Sequence, residues 1–161
     1  MKILQLVVDG LTVTLYKEDY LKLCCPRLAV YADGRGGMQN VRILGQKETR
    51  YLHKEIYGEI PVGYVVDHID RNPLNNLREN LRLATVAQNN RNNDQAASAL
   101  SGLKGVSWYS KRSCWRAAIS IQGTKMHLGY FACKYQAFEA YKKASIEHYG
   151  EFSPFYCTTS L

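Results

Sequence analysis

One stretch, residues 65–90, constrains the fold of this chain more than any other. It contains two short strand patterns, and polar residues that could act in catalysis or bind a metal stand at the ends of these patterns. Val65 and Val66 predict a short buried strand, and that strand ends by presenting Asp67 and His68. Proline and asparagine residues follow, and a chain uses these residues to turn rather than to pack. A strand that ends in two polar residues beside a turn is therefore the first element of this unit.

A second strand and a helix complete the stretch. Leu81-Arg82-Leu83 alternates apolar and polar side chains, which predicts a strand. Thr85 with Gln88 is a capping box, so we expect a helix that starts there and runs through Asn93. Strand, loop, strand and helix then occupy about 30 residues, which is small for a rigid site. A bound ion and a clamped loop would supply the missing rigidity.

Four polar side chains are expected to converge in this unit. Asp67 and His68 end the first strand, and Asn89 lies one turn into the helix that packs back across it. Carboxylate and amide oxygens are hard ligands, which suit one Mg²⁺ or Mn²⁺ ion better than zinc. A neutral histidine with a pKa near ~6.5 can take a proton from water beside such an ion. Asn80 would bond to backbone amides of the long loop and hold it in place.

Asp67-His68, Asn80 and Asn89 at these spacings resemble the HNH endonucleases (His-Me finger, ββα-metal), in the form found in phage homing nucleases. The resemblance covers residues 50–93 closely and the N-terminal part loosely. It implies that His68 is the general base and that Asp67 and Asn89 hold one divalent ion. It also implies that Asn80 clamps the loop of the catalytic site.

Two positions keep alternatives open. Relatives often have Asn-Gly where this chain has Asp70-Arg71, and Asp70 could compete weakly for the ion. We favour the interpretation that Asp70 is a solvated turn residue. His53 lies in a short helix predicted over residues 51–58, and its neighbours are those of a packing helix. We therefore interpret His53 as structural, with lining of the site as the alternative.

The charge balance fits a polyanionic partner. The chain has 161 residues and a net charge of +7, which suits nucleic acid. Residues 1–93 carry +3 and residues 94–161 carry +4, so the C-terminal part is the more basic per residue. No run approaches the ~20 apolar residues of a membrane helix. We expect a cytoplasmic protein of a bacterial host or phage-infected cell, without membrane partners.

Cysteine usage argues against a structural metal. The five cysteines stand at positions 24, 25, 114, 133 and 157, and none of them forms a Cys-x-x-Cys pair. A structural zinc site is therefore unsupported. We expect free and mostly buried thiols.

The N-terminal part predicts hairpins. Asp9-Gly10 between alternating apolar runs is a strong hairpin signal over residues 3–15. Residues 27–32 and 39–44 predict two further strands, separated by a glycine-rich loop at residues 33–37. Basic residues in this part could contact DNA backbone or only solvate a surface. They are Arg35, Arg42, Lys47 and Arg50.

Residues 94–101 are small and polar without apolar periodicity, so we interpret them as a linker. Beyond it, residues 106–109, 115–121 and 125–128 predict three antiparallel strands that share one apolar face and one basic-polar face. A helix is predicted over residues 134–149, and its alanines would let it lie close on the apolar face.

The segment from residue 102 to about residue 155 resembles the AP2 DNA-binding domain found in phage HNH proteins. The matching stretches are residues 101–106, 115–117, 127–131 and 149–152. The resemblance implies that the exposed face of the sheet binds double-stranded DNA, where donors can meet phosphates and base edges.

The alternation of side chains along each strand assigns every large side chain to one of the two faces of the sheet. Parity places Trp108 and Trp115 in the core, so we do not interpret them as stacking platforms. The residues expected on the DNA-binding face or at its first hairpin are Lys104, Tyr109, Lys111, Arg112, Arg116, Lys125 and His127.

Together these patterns predict an α+β protein. We expect a nuclease domain at residues 1–93 with its ββα core at 62–93, a linker at 94–101, and a DNA-binding domain at 102–161. The leading hypothesis is a homing-type, Mg²⁺-dependent DNA endonuclease that acts as a monomer. The alternative is a non-catalytic, sequence-specific regulatory DNA-binding protein with a relic HNH domain. An RNA substrate stays open at this point.

Overall fold

Four small antiparallel sheets and four α-helices make up the residues that the computed structural model describes, which are 1–32, 39–45, 48–92 and 100–156. This is the mixed α+β composition that the sequence predicts. None of the helices among these residues is long and apolar enough to cross a membrane.

The chain divides into two compact units, Met1–Asn89 and Asn90–Leu161. The predicted glycine-rich loop, most of the predicted linker, and Arg35, Lys47 and Cys157 lie outside the described residues. The two units are considered separately below.

The N-terminal unit begins with a β-hairpin whose turn follows from its two central residues. Asp9 and Gly10 have φ angles of 51° and 79°, which are the left-handed conformations that an Asp-Gly turn supplies. Asp9 Oδ2 accepts a hydrogen bond of 2.8 Å from the Val30 backbone N–H, which ties the turn to the neighbouring sheet. The predicted hairpin is confirmed. The elements of this part are β1 (Ile3–Val8), β2 (Leu11–Tyr16), α1 (Lys17–Lys22), β3 (Leu28–Ala32), β4 (Gln39–Ile43), β5 (Arg50–Tyr51) and α2 (Leu52–Tyr57).

Apolar side chains from the hairpin, the second sheet and α2 form the core of this unit. Val13 and Leu15 on β2, Val41 on β4 and Leu52 on α2 are fully buried. Burial of each such side chain stabilises the fold by about 1.5–3 kcal/mol. Buried and partly exposed positions alternate along β2, so the hairpin turns one face towards this core.

Two further paired strands and the helix that follows them carry the predicted base, His68, and the predicted metal ligands, Asp67 and Asn89. β6 (Tyr64–His68) pairs antiparallel with β7 (Leu81–Thr85), and α3 (Val86–Asn92) follows directly. Gln88 Oε1 accepts a 2.8 Å hydrogen bond from the Thr85 N–H, and the Gln88 N–H donates at 3.3 Å to Thr85 Oγ1. The two predicted strands and the capping box are confirmed.

In the C-terminal unit three strands form one antiparallel sheet with a helix on one face. The strands are β8 (Val106–Tyr109), β9 (Cys114–Ile121) and β10 (Thr124–Phe131), with β9 in the centre. The helix is α4 (Lys134–Tyr149), whose buried residues contact β8 and β9 in two small apolar clusters.

Small residues let α4 lie close on the sheet. Ala117 of β9 and Ala137 of α4 have no exposed surface. Gly105 precedes β8 with a φ of 74°, and a Cβ atom there would meet the ring of Tyr141 on α4. The Gly105 carbonyl accepts a 2.9 Å hydrogen bond from the Ala118 N–H. Glycine is thus required here both by conformation and by the close approach of the helix.

The prediction that Trp108 is a core residue is wrong. Trp108 is 40% exposed, and its ring meets Trp115 edge-on with centroids 5.1 Å apart. Parity does place Trp108 on the same face as Val106, but β8 is an edge strand, so a large side chain there is covered from one side only. Trp115 on the central strand packs against the core, as predicted.

The prediction of mostly buried thiols is also wrong for the described cysteines. Cys24, Cys25 and Cys133 are exposed free thiols, and Cys114 is a half-buried one. Cys24 and Cys25 follow α1, and Cys133 immediately precedes α4, so the three exposed thiols lie in connections rather than on packed faces.

Candidate functional site

Asp67 forms an ion pair across the hairpin of β6 and β7. Its register partner is Arg82. Arg82 Nη2 lies 2.9 Å from Asp67 Oδ2, and Arg82 Nε donates a 3.0 Å hydrogen bond to the same oxygen. Both side chains are nearly buried, with exposed fractions of 6% and 11%. A buried carboxylate needs such a partner, because removing the partner would leave an uncompensated charge.

His68 ends β6 with its imidazole largely buried. Its ring meets the ring of His53 edge-on. Burial lowers the pKa of His68 below its usual value, and contributions from Asn76, Asp70 and Asp67 oppose this shift only in part. His68 is therefore neutral near pH 7, which is the form that can accept a proton.

His53 packs in the core and also lines the site, because its ring contacts His68. It is buried in α2, and its ring also stacks on Tyr51 with centroids 5.8 Å apart. Burial lowers the pKa of His53 to about 3, and the nearby His68 and Lys54 contribute to the same shift. The purely structural interpretation of His53 is thus incomplete, because its ring contacts the predicted base.

Asn76 faces the predicted base from the loop. Its side chain is fully buried, and its Oδ1 lies 3.5 Å from His68 Nε2. Asn76 Nδ2 donates a 3.1 Å hydrogen bond to the Pro73 carbonyl, so Oδ1 is the atom left to face the imidazole. In the tautomer that carries its proton on Nε2, the His68 ring donates to this oxygen and the lone pair lies on Nδ1.

Asn80 holds the ends of the loop at residues 69–80 together. Its Oδ1 accepts a 3.0 Å hydrogen bond from the Asp70 N–H, and its Nδ2 donates at 2.8 Å to both Asp70 Oδ1 and the Asn75 carbonyl. Its own carbonyl accepts a 2.9 Å hydrogen bond from the Ile69 N–H. One side chain therefore bonds to three points of the loop.

Asp70 is part of the same network. Asp70 Oδ1 accepts a 2.8 Å hydrogen bond from the Asn72 N–H, and Asp70 Oδ2 accepts one of 2.7 Å from Asn75 Nδ2. Asp70 is exposed and lies in the turn that follows β6, so the interpretation as a solvated turn residue is confirmed, although it does not include these loop hydrogen bonds. Its carboxylate organises the loop, because several neighbouring donors converge on it.

The loop also rests on the first hairpin of the unit. The Thr14 N–H donates a 2.8 Å hydrogen bond to the Leu74 carbonyl, and the Asn76 N–H donates one of 2.7 Å to the Thr14 carbonyl. These two bonds form a parallel bridge between β2 and the loop. The position of Asn76 beside His68 thus depends on a strand about sixty residues earlier in the chain.

Asn89 is half-buried in α3, within the first turns that the capping box fixes. With Asp67 it offers one carboxamide and one carboxylate oxygen, which are the donor types that Mg²⁺ and Mn²⁺ take. Among the described residues no group of three or more His, Cys, Asp and Glu side chains is placed to hold a metal. An ion here would therefore depend on the amide oxygen, and the donor set fits a hard cation.

The outer face of the C-terminal sheet, opposite α4, gains a residue that alternation does not predict. The register of β10 shifts between His127 and Gly129. His127 pairs with Ala118, and Tyr130 pairs with Arg116. Because of this bulge, His127 and Tyr130 lie on the same face although three positions separate them.

Aromatic rings and guanidinium groups cluster around Tyr130 on that outer face. The Tyr130 ring lies 4.5 Å from His127 and 5.2 Å from Tyr109, measured between centroids. The Arg112 guanidinium lies 4.7 Å above the Tyr130 ring, and that of Arg116 lies 5.7 Å from the Tyr109 ring. Four of the predicted DNA-binding residues are thus gathered around one tyrosine.

The three predicted lysines are distributed differently. Lys125 is exposed on β10, and Lys111 is exposed in the turn between β8 and β9. The predicted position of Lys104 on the sheet face is wrong, because β8 starts only at Val106. Lys104 Nζ instead donates a 3.2 Å hydrogen bond to the Arg91 carbonyl.

Three site residues were missed from the sequence. Arg82 was identified only as a polar strand position, although pairing the two predicted strands would have set it opposite Asp67. The sequence assigns Asn76 only to the turn, and no local pattern predicts that its side chain contacts His68. Plain alternation along β10 turns Tyr130 inward, and only the glycine next to it hints at a bulge.

Comparison with known proteins places this geometry in context. The family described as HNH endonuclease matches residues 50–91, which include Asp67, His68, Asn80 and Asn89. Protein 3.8 of Escherichia phage T7 is 49% identical over 70 residues, covering 44% of this chain and 57% of its own length. An uncharacterized HNH endonuclease of Acanthamoeba polyphaga mimivirus is 37% identical over 107 residues, covering 63% of this chain and 54% of its own length.

The chain therefore carries an HNH endonuclease domain and has viral relatives, and it spans about half the length of the curated relatives that it matches. No solved structure matches it.

Proposed function

We propose that this chain is a DNA endonuclease that hydrolyses phosphodiester bonds with the help of one divalent ion, Mg²⁺ or Mn²⁺. The observation that carries the proposal is a buried His68 directly after the paired carboxylate of Asp67. Both residues lie within the segment that matches HNH endonucleases. A neutral imidazole beside an ionised carboxylate is what proton abstraction next to a hard cation requires.

His68 is the general base in this proposal. In the tautomer with the proton on Nε2, directed at Asn76 Oδ1, Nδ1 carries the lone pair that would take a proton from the attacking water. The water oxygen then forms its bond to phosphorus as the bond to the leaving oxygen breaks. The lowered pKa of His68 keeps Nδ1 unprotonated at neutral pH, so it is ready to accept that proton.

Asp67 and Asn89 would hold the ion through one carboxylate and one carboxamide oxygen. When bound, the ion would stabilise negative charge on the leaving oxygen. Arg82 orients the Asp67 carboxylate through two contacts to Oδ2. Asn80 acts as a positioning residue, because it fixes the loop that begins immediately after His68.

The C-terminal sheet would direct the nuclease to double-stranded DNA. Its outer face carries Tyr109, Arg112, Arg116 and His127 around Tyr130, and Lys111 and Lys125 are exposed nearby in the chain. Guanidinium and ammonium groups can contact phosphates, and arginine can also read guanine edges. We propose an AP2-like, homing-type arrangement that acts as a monomer in an infected cell.

A second candidate is a non-catalytic, sequence-specific DNA-binding protein that keeps a relic HNH domain. The observation that favours it is that Asp67 Oδ2 is already occupied by Arg82. A carboxylate whose charge is balanced in this way attracts a cation less strongly. The two candidates share the outer sheet face and differ only in whether the site hydrolyses DNA.

Plasmid nicking with and without Mg²⁺ tests the proposal. The wild-type chain should convert supercoiled DNA to nicked or linear forms only with the ion, and His68→Ala should bind DNA but not cleave it. The matched control is His148→Ala, which removes an exposed histidine from α4 and should cleave like wild type. Cleavage retained by His68→Ala would remove His68 from the mechanism, and binding without any cleavage by the wild type would favour the second candidate.

A further inference from the structure

Arg42 on β4 is held between two tyrosine rings without an anionic partner. Its guanidinium carbon lies 4.4 Å from the centroid of the Tyr31 ring and 5.5 Å from that of Tyr51. Within the part of the chain that the structure describes, Arg42 forms no ion pair, and its Nε is buried without a hydrogen-bond partner. Ring stacking uses the face of a guanidinium and leaves its N–H donors for other groups.

Arg50, one residue before Tyr51, shows the contrasting case. It donates hydrogen bonds through both Nε and Nη2 to the carboxylate of Glu55. Its charge is therefore compensated within the protein, and its Nε and one Nη2 donor already have acceptors. Of the two described arginines predicted as backbone contacts in this part, Arg42 is the one whose charge has no carboxylate partner among the described residues.

A second positively charged side chain, Lys54, approaches the Tyr51 ring that Arg42 also contacts. Lys54 Nζ lies 5.3 Å from the centroid of Tyr51, and Lys54 is exposed on α2. Two positive groups gathered at one ring repel each other, and a bound anion would relieve that repulsion. Arg42 and Tyr31 also line an open groove of about 170 Å³, whose lining includes one acidic residue, Glu48.

This pair of cations lies next to the candidate active site. The Tyr51 ring stacks on His53 at 5.8 Å, and His53 meets His68 at 5.1 Å. Three successive contacts of 5.5, 5.8 and 5.1 Å thus lead from Arg42 to His68. The separation of Arg42 and His68 cannot exceed the sum of these contacts, so at a rise of roughly 3.4 Å per nucleotide along one strand it spans at most a few nucleotides of DNA backbone.

We infer that Arg42, Tyr51 and Lys54 form a phosphate-binding surface that holds the DNA strand a few nucleotides from the bond facing His68. The inference rests on the proposed function. Arg42 and Lys54 donate to phosphate oxygens, and the rings of Tyr31 and Tyr51 hold the guanidinium in place before DNA arrives. Such contacts bind the flanking backbone equally well before and during cleavage.

Equilibrium binding of a short fluorescent DNA duplex, without divalent ions and over a range of salt concentrations, tests this surface. Arg42→Gln and Lys54→Gln should each weaken binding roughly tenfold and lower the salt slope by about one. The matched control is Lys143→Gln, which removes one exposed positive charge from α4 in the other unit. Single-turnover cleavage should show a higher half-saturating DNA concentration with little change in maximal rate.

The outcomes separate this surface from the proposed activity. If the wild type cleaves DNA and both variants bind like Lys143→Gln with an unchanged salt slope, the surface is overturned and the proposed function stands. An equal loss in all three variants also overturns it, because net charge alone would explain the result. In a third outcome, the wild type fails to cleave DNA while Arg42→Gln and Lys54→Gln bind it weakly and Lys143→Gln binds it normally. In that case the phosphate-binding surface stands and the proposed activity does not. Because Lys54 is exposed, the fold should tolerate its replacement, and circular dichroism of both variants checks that they are folded.

Discussion

The ring of His53 meets the ring of His68 edge-on, with centroids 5.1 Å apart and planes inclined at 73°. Both imidazoles are 8% exposed, and burial lowers the pKa of each. A charged imidazole at either place would face a buried neighbour that offers it little stabilisation. The contact therefore favours the neutral form of both rings. The His53 ring covers one side of His68, the proposed base.

Acidification should destabilise the N-terminal unit through His53. Its pKa is about 3 in the folded chain, against an ordinary value of 6.5 for histidine, so the unfolded chain binds the extra proton between these values. Stability should be complete above a pH of about 6.5 and should fall as the pH drops towards 3, by about 1.4 kcal/mol per pH unit for this proton. His68 acts in the same direction.

Urea unfolding across this pH window measures the effect. His53→Phe keeps an aromatic ring in place and should flatten the pH dependence, whereas His148→Gln, an exposed control on α4, should leave it as in wild type. An unchanged slope for His53→Phe would mean that His53 does not resist protonation in the folded chain.

Replacing Asn76 should impair the proposed base without removing it. Asn76→Ala takes away the oxygen that faces His68 Nε2, so the tautomer with the lone pair on Nδ1 loses its support. We expect the maximal single-turnover rate to fall about 10- to 100-fold with DNA affinity unchanged. Asn72→Ala is the control, since it removes an exposed side chain of the same loop that bonds to the Leu74 N–H, so it measures the effect of loosening the loop alone. Equal rates for both variants would contradict a role for Asn76.

Removing one partner of the Asp67–Arg82 pair should lower the free energy of unfolding more than removing both charges. Arg82→Met leaves a buried carboxylate without its partner, which should lower the free energy of unfolding by about 3–5 kcal/mol. Combining it with Asp67→Asn should restore a large part of that loss. Chemical denaturation of the single and double variants gives the coupling energy, and simple additivity would show that the two groups do not interact.

Gly105 should be the glycine of the C-terminal unit that tolerates alanine least. Gly105→Ala forces a methyl group against the Tyr141 ring at a φ of 74°, which should cost about 2–4 kcal/mol from strain and overpacking together. Gly123→Ala is the control, since its φ is 82° but a Cβ there meets only open space. Thermal unfolding of both variants separates overpacking from backbone strain, and equal losses would argue against the contact with α4.

Tyr130 should contribute to DNA binding although simple alternation places it in the core. Tyr130→Ala removes the ring on which Arg112 lies and which His127 and Tyr109 flank, so DNA affinity should fall roughly fivefold. Tyr135→Ala on α4 is a matched control, since that tyrosine is 62% exposed and on the helix rather than the sheet. Fluorescence anisotropy measures both, and equal affinities would exclude a role for Tyr130.

Features set by neighbouring residues were predictable from the sequence, and features set by distant residues were not. The Asp9-Gly10 turn and the Thr85–Gln88 capping box depend on a few consecutive positions, so they were predicted correctly. Asn76 takes its role from two hydrogen bonds to β2, which no local pattern announces. The position of Tyr130 depends on one bulge in β10, and one extra residue reverses the face of every side chain beyond it.

The bridge between β2 and the loop after β6 limits which part of the proposed nuclease could be transferred to another protein. A fragment cut at residue 50, where the family match begins, would retain Asp67, His68, Asn80 and Asn89. It would lose Thr14, whose backbone accepts from Asn76 and donates to the Leu74 carbonyl. Grafting such a fragment onto another protein would thus carry over these four residues without the strand that supports the loop between them, and the smallest described unit that keeps the bridge is the whole N-terminal unit.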